Sequence, residues 1–419
     1  MNIDELRPVA ERLFAEVGAL SFDGVGISRD SYGDKESATA EYLRAFAAEF
    51  GLVSWTDRAA NLLIGLPDTP KDDGPVVWCG SHIDSVPQGG NYDGLAGVAA
   101  GLLCLIDQQR SGRRSPLPLQ VIGLRGEESA WFGKAYVGSS ALLGKLDEED
   151  LALRRRSSGE TLGEAMRRVG VDIEAVRERQ WLFDPQRIRA FLELHIEQGP
   201  VMEARKLPVA VVSGIRGNIR HGNVQCFGEP GHSGTIPRWL RRDAIFAVSD
   251  LIMRIDGHWS DLLERGTDLV VTVGMLSTNA DEHAASRIPG QVAFSFEVRS
   301  KSIDTLEAFY QLMRAECAAI ARERHVRFEF DRRILSSPAT MDPRLSDLLD
   351  KVCAAKGYAY ETIPSGAGHD AAMFANVGIA SAMLFVRNQN GSHNPAEAMD
   401  LDDFMRGVDV LDQAIHEIR

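Results

Sequence analysis

Four short apolar runs, each broken off by histidine or carboxylate residues, constrain this chain more than any other feature. Val76-Val-Trp-Cys79 leads into Gly80-Ser-His82, and Leu119-Gln-Val-Ile-Gly-Leu124 leads into Arg125-Gly-Glu-Glu128. Ala190-Phe-Leu-Glu-Leu-His195 carries its own histidine, and Ala382-Met-Leu-Phe-Val386 precedes a polar loop from Arg387 to Asn394. Longer helical patterns lie between them. Strands alternating with helices build layered α/β folds with a mainly parallel central sheet flanked by helices. Ligands of such sheets bind beyond the carboxyl ends of the strands, so the four polar clusters are candidates for a single site.

The middle third reads differently. Gln291 to Arg299 alternates strictly, with Val292, Phe294, Phe296 and Val298 on one face, the pattern of a half-buried antiparallel strand. Asp304 and Glu307 have capping-box spacing and open a helix carrying Leu306, Phe309, Leu312 and Met313. With strand-like runs at Asn218 to Phe227 and Leu269 to Leu276, and a helix near Asp243 to Ile255, this predicts an inserted α+β domain over residues 212–329. The first domain is then discontinuous, residues 1–211 and 330–419, resuming near residue 330 with a strand that returns to the same sheet.

A chain of 419 residues is long enough for such an arrangement. Its 60 Asp and Glu against 46 Lys and Arg leave a net charge of -14, which repels phosphate backbones and argues against nucleic acid as a partner. Cys79, Cys104, Cys226, Cys317 and Cys353 are odd in number and lack Cys-x-x-Cys spacing, which signals neither a disulfide framework nor a thiolate metal site. The N-terminal residues lack a signal pattern, and the longest apolar stretch, Gly97 to Ile106, is too short to span a membrane. The expectation is a cytoplasmic protein without a membrane partner. Arg154-Arg-Arg156 reads as a solvated face.

The strand-end residues carry recognisable chemistry. His82 can offer a neutral imidazole to a metal while Asp84 orients it. Asp93 has two oxygens and can bridge two cations about 3.5 to 4 Å apart. Adjacent carboxylates at Glu127 and Glu128 favour a division in which one binds a cation and the other handles protons. His195 shares a strand face with Glu193 and Glu197, and three polar groups there require partners. His393 sits in Gly391-Ser-His-Asn-Pro395. Each has a plainer reading: a salt-bridged histidine near a turn, an exposed Glu-Glu pair, a satisfied core histidine, a turn residue. Taken together, nitrogen and oxygen donors without sulfur suit zinc, manganese, cobalt or nickel.

In order and spacing these segments resemble the amidase/hydantoinase/carbamoylase branch of the M20 metallopeptidase-like family, which includes N-carbamoyl-L-amino-acid hydrolases, allantoate amidohydrolases and β-ureidopropionases. The resemblance is carried by Gly80-Ser-His-Ile-Asp-Ser-Val86, Gly90-Asn-Tyr-Asp-Gly94, Gly126-Glu-Glu-Ser129, Glu193-Leu-His-Ile-Glu-Gln-Gly-Pro200, Gly231-His-Ser-Gly-Thr-Ile-Pro237, Ser365-Gly-Ala-Gly-His-Asp370 and Ser392-His-Asn-Pro-Ala-Glu397. It implies two divalent metal ions per subunit bridged by Asp93, one also held by His82 and His195, the other by Glu128 and His393. It implies Glu127 as general base and Asp84 as the group orienting His82. The inserted domain becomes a lid or dimerisation domain, and the protein a homodimer in which His232 reaches the partner's active site as an oxyanion donor. Gln198, Asn218, Arg220 and His369 fall at or near substrate-contact positions, and Arg299 at that of the arginine clamping a substrate carboxylate.

The chain also departs from the family. Where the branch commonly reads Asn-Val-Ile-Pro-Gly, this sequence has Ser286-Arg-Ile-Pro-Gly290, which replaces an amide by a shorter hydroxyl and adds Arg287 at the substrate-binding position. His221, His258, His283, His325 and His416 carry no motif and receive no role. The implied activity is a dinuclear amidohydrolase acting on a small linear amide, most simply an N-carbamoyl or ureido acid. The alternatives are an aminoacylase or dipeptidase, a non-catalytic metal-bound sensor, against which Glu127 argues, and a structural-metal scaffold, against which the lack of thiolate argues.

Overall fold

The computed structural model describes residues 1–71 and 73–419. They form two compact units, residues 1–213 with 340–419, and residues 214–339.

The first unit is built on an eight-stranded sheet. Its strands are β1 (Val53–Thr56), β2 (Leu62–Gly65), β3 (Val76–His82), β4 (Leu119–Leu124), β5 (Ile188–Ile196), β6 (Val209–Ile215), β7 (Tyr360–Ser365) and β8 (Ser381–Val386). Their order is β1-β2-β4-β3-β5-β8-β6-β7. The four central strands β4, β3, β5 and β8 run parallel to one another. The pairings of β1 with β2, β2 with β4 and β8 with β6 are antiparallel. Every residue of β3, β4 and β8 is buried, which explains why these strands read as continuous apolar runs rather than alternating ones.

Because the central strands share one direction, His82 and Leu124 stand side by side at one edge, as do Ile196 and Val386. The apolar stretch from Gly97 to Ile106 belongs to the helix Leu95–Ser111, buried from Leu95 through Gln108. Its close seat depends on glycine: a Cβ at Gly97 would fall 2.3 Å from the Leu194 carbonyl oxygen. The helix Leu401–Glu417 is capped by the Asp400 carboxylate and buries Phe404, Val408, Leu411 and Ile415 in the same core. Each fully buried leucine or isoleucine there contributes about 1.5–3 kcal/mol.

In the second unit, Gln291–Ser300 pairs antiparallel with Gly217–Phe227, and Val292, Phe294, Phe296 and Val298 are buried as the alternation predicts. The helices Ala244–Glu264 and Ile303–Arg324 share its core through Leu251, Ile255, Leu306, Phe309 and Met313. Three details differ from expectation. The second helix is capped by Ser302, whose hydroxyl accepts from the Thr305 amide, so Asp304 lies inside the first turn. The run from Leu269 to Leu276 is two short strands, Val270–Thr272 and Leu276–Thr278.

The third difference concerns the boundary expected at 329. The strand near residue 330, Ile334–Ser336, does not return to the first sheet; it pairs with Gly217–Phe227, with Ile334 opposite Arg220. Its backbone bonds therefore hold the chain in the second unit as far as Ala339. All five cysteines are buried as free thiols. Among the described residues no helix is long and apolar enough to cross a membrane.

Candidate metal centre and active site

His82 ends β3 with its Nδ1 3.1 Å from the Asp84 carbonyl oxygen and 3.3 Å from Asp84 Oδ1. A ring nitrogen facing two acceptors carries the hydrogen, which leaves the lone pair of the neutral ring on Nε2. His195 is set in the same way, its Nδ1 2.8 Å from the Ile196 carbonyl oxygen. Both Nε2 atoms converge on one oxygen: Asp93 Oδ1 lies 3.3 Å from that of His82 and 3.2 Å from that of His195.

The other Asp93 oxygen faces a different pair. Oδ2 is 3.4 Å from His393 Nε2, and that nitrogen is 3.3 Å from Glu128 Oε1. One carboxylate thus divides two groups, His82, Asp93 and His195 on one side and Asp93, Glu128 and His393 on the other, each with ligand atoms within 4.8 Å. Asp93 Oδ1 is buried with no hydrogen-bond partner, a costly state for an anionic oxygen. A divalent cation between it and two imidazole lone pairs removes that cost, so the donor set fits metal on chemical grounds.

A third group, Glu193, His195 and His369, is also close enough to hold an ion. Glu193 already accepts the Ser81 hydroxyl at 2.6 Å and the Ala371 amide at 2.8 Å, which makes it a brace between β3, β5 and the helix Asp370–Ala375.

Gly94 allows the first group to close up. Its φ is +69°, and a Cβ there would fall 2.4 Å from His82 Cε1. Asp84 links the same group to the glutamates: its Oδ1 accepts the Glu127 amide at 3.0 Å and its Oδ2 the Glu128 amide at 3.1 Å. Glu127 Oε2 in turn lies 4.0 Å from His82 Nε2.

Burial opposes charge throughout the cluster, and the ion pairs decide the outcome. Burial lowers the proton affinity of His82, but its pairing with the Asp84 and Asp93 carboxylates outweighs that and holds its pKa well above the usual histidine range. His195 is raised against burial by Asp93. Asp93 is held well below its usual range because the three imidazoles outweigh burial. His393 is pushed up to about 10 by its hydrogen bonds to Asp93 and Glu128. Cations entering this site must displace those protons. Glu127 behaves in the opposite sense: burial, with Glu128 and Asp370 adding to it, pushes its carboxyl well above the usual range.

The sequence reading left two participants without a role. Glu397 accepts the Tyr92 amide at 2.9 Å and the Asp93 amide at 3.3 Å, and Ser392 Oγ lies 2.6 Å from both Asp93 Oδ2 and Glu397 Oε2. The five-residue step from Ser392 to Glu397, within one motif, was the available signal. Glu197 leaves the face it was expected to share, because its carboxylate accepts the Val201 and Met202 amides at 2.9 and 2.7 Å.

Of the expected substrate contacts, two lie in the first unit. Gln198 Nε2 donates to Asp93 Oδ2 at 2.7 Å, so it secures the dividing carboxylate. His369 is buried with its ring 4.5 Å from that of His195 and its Nε2 2.8 Å from Ser365 Oγ; burial, together with His195, holds its pKa well below the usual range.

The second unit contains the others in two sets. Arg299 stands opposite Asn218, and Arg220 opposite Glu297, whose Oε1 accepts from Arg299 Nη2 at 3.0 Å. His232 pairs with Arg287, and the Ser286 carbonyl accepts the Ser233 amide at 2.8 Å. The Gly234 amide donates to His232 Nδ1 at 3.1 Å, which places the neutral ring's hydrogen on Nε2.

Comparison with known proteins follows the same lines. Residues 78–417 match the model of peptidase family M20/M25/M40. The N-carbamoyl-L-amino acid amidohydrolase of Geobacillus stearothermophilus is 33% identical over 94% of this chain and 93% of its own. The allantoate amidohydrolase of Escherichia coli K12 is 31% identical, again over 94% of this chain and 93% of its own. The crystal structure of a hydantoinase/carbamoylase family amidase from Burkholderia ambifaria superposes with a TM-score of 0.84 at 27% identity, covering 98% of this chain and 96% of that one.

Proposed function

The chain belongs to peptidase family M20/M25/M40, and from that premise we propose that it is a two-metal amidohydrolase cleaving the C–N bond of a small linear amide, an N-carbamoyl or ureido acid. The observation that carries this reading is the division of labour at Asp93, one oxygen turned to His82 and His195 and the other to His393, which itself meets Glu128. Both named relatives are amidohydrolases, which favours this activity over that of an aminoacylase or dipeptidase.

His82, His195 and Asp93 would hold one zinc, manganese, cobalt or nickel ion, and Asp93, Glu128 and His393 the other. Bound there, such ions lower the pKa of water from 15.7 towards about 7 and polarise a carbonyl oxygen. Glu127 accepts the proton of the attacking water and returns it to the leaving nitrogen, a role suited to a carboxyl whose proton affinity burial has raised. Asp84 orients His82 and, through the hydrogen bonds it accepts from two backbone amides, the turn carrying Glu127 and Glu128. For a carbamoyl substrate the products are ammonia, carbon dioxide and the amine.

The residues of the second unit supply recognition. Arg299 and Asn218, directly opposite each other, bind the substrate carboxylate, with Arg220, Ser286 and Arg287 shaping that end. Gln198 and His369 border the metal side. In a homodimer, His232 donates its Nε2 hydrogen to the oxyanion in the partner's active site, a role consistent with the tautomer fixed by Gly234.

Ammonia release from a panel of N-carbamoyl, ureido and N-acyl compounds, before and after chelation, tests the reading. The expected result is metal-dependent ammonia release from one carbamoyl or ureido class. A metal-replete enzyme inactive on every class overturns it.

A further inference from the structure

The family match begins at residue 78, yet the carboxylate linking His82 to the two glutamates is gripped from a segment far upstream of it. Ser31 Oγ donates to Asp84 Oδ2 at 2.7 Å, the only side-chain hydroxyl on that carboxylate among the described residues. Arg29, buried without residual exposure, brackets Asp84 on both sides. Its Nε donates to the Ile83 carbonyl oxygen at 2.7 Å, its amide donates to Ser85 Oγ at 2.9 Å, and its own carbonyl accepts the Ser85 amide at 3.0 Å. Nη1 reaches Asn91 Oδ1 at 3.2 Å, two residues short of Asp93.

Arg29 therefore fixes both ends of the loop that carries Asp84 and Asp93, and Ser31 fixes the rotation of the Asp84 carboxylate. A planar guanidinium is suited to such a task, since its donors are held in one rigid fork. Burying it is costly, and the oxygens of Ile83 and Asn91 that it meets, together with the nearby carboxylates of Asp84, Glu397, Asp93 and Glu128, offset part of that cost.

We propose that Arg29 and Ser31 are positioning residues of the metal centre, which set its geometry before any ion arrives. Groups that orient ligands from behind typically govern metal affinity by about 10- to 100-fold. The proposal rests on the two-metal reading, and its test separates the two.

The test titrates Zn2+ into chelator-stripped wild type, Ser31→Ala, Ser31→Thr and Arg29→Lys by calorimetry, with the melting temperature of each metal-free protein recorded alongside. Expected are a roughly 10- to 100-fold weaker Zn2+ affinity for Ser31→Ala, recovery in Ser31→Thr, which keeps the hydroxyl, and weakening in Arg29→Lys. Unchanged Zn2+ affinity in Ser31→Ala, whether or not its melting temperature falls, overturns the positioning role while leaving two-metal binding intact. Wild type that takes up no Zn2+ overturns the two-metal reading and this proposal with it. If Arg29→Lys fails to fold, the Ser31 pair decides.

Discussion

His232 and Arg287 face each other across a two-residue antiparallel ladder, so the sequence change at Ser286-Arg287 adjoins the imidazole assigned to the oxyanion. Arg287 is tethered there, its Nη2 2.6 Å from Glu282 Oε2. Ser286→Asn restores the amide common in the family and adds a hydrogen-bonding group worth about 0.5–1.5 kcal/mol. We expect kcat/KM for N-carbamoyl α-amino acids to rise roughly three- to tenfold, with ureido substrates lacking an α-carboxylate unaffected. An equal change in both classes removes position 286 from substrate selection.

Glu127→Gln keeps the side chain's size and removes its proton chemistry. General acid–base groups contribute about 10²- to 10⁴-fold, so kcat should fall by that factor. Metal content, measured by emission spectrometry, should stay at the wild-type level. Simultaneous loss of metal would make Glu127 a ligand instead.

Gly94→Ala combines a positive φ with a collision against His82, whereas Gly112, at φ +71°, would place a Cβ in open space. Both alanines carry backbone strain, but only the first displaces a ligand. Urea denaturation should show a loss of about 1–3 kcal/mol for Gly94→Ala and less for Gly112→Ala. Metal uptake should fail in the first variant alone.

The metal-free protein should lose stability as pH rises. Its bonds to Asp93 and Glu128 push the His393 pKa from an ordinary 6.5 up to about 10 in the folded chain. The folded state therefore holds the extra proton between those values, so this contribution is complete below pH 6.5 and lost as pH passes 10. Melting temperatures of chelated wild type should fall across that window more steeply than those of His393→Gln. Metal affinity should move the other way, since the same proton competes with the ion.

Much of this was legible in the sequence for a physical reason. Buried parallel strands are written as apolar runs, and a run that stops at His82 or at Glu127-Glu128 marks a strand end where side chains reach a common edge. Alternation at Gln291–Ser300 marked the other sheet equally well. The boundary after residue 329 was not legible, because Ile334–Ser336 is too short to reveal which sheet it joins. Ser302 was passed over as the cap since Asp304 and Glu307 satisfied the same spacing rule. Glu397, Ser31 and Arg29 act through contacts to backbone amides, carbonyls and other side chains, and no periodicity encodes those.

The placement of β8 between β5 and β6 has a consequence for biosynthesis. A nascent chain on the ribosome carries β5 and β6 long before Ser381–Val386 emerges to separate them, so the sheet of the first unit stays unfinished until that strand has been made. Residues 214–339 are made in the interval and can reach their own antiparallel sheet first. Products terminated before Ser381 therefore lack both the wedge strand and His393, and acquire no hydrolytic capacity while incomplete.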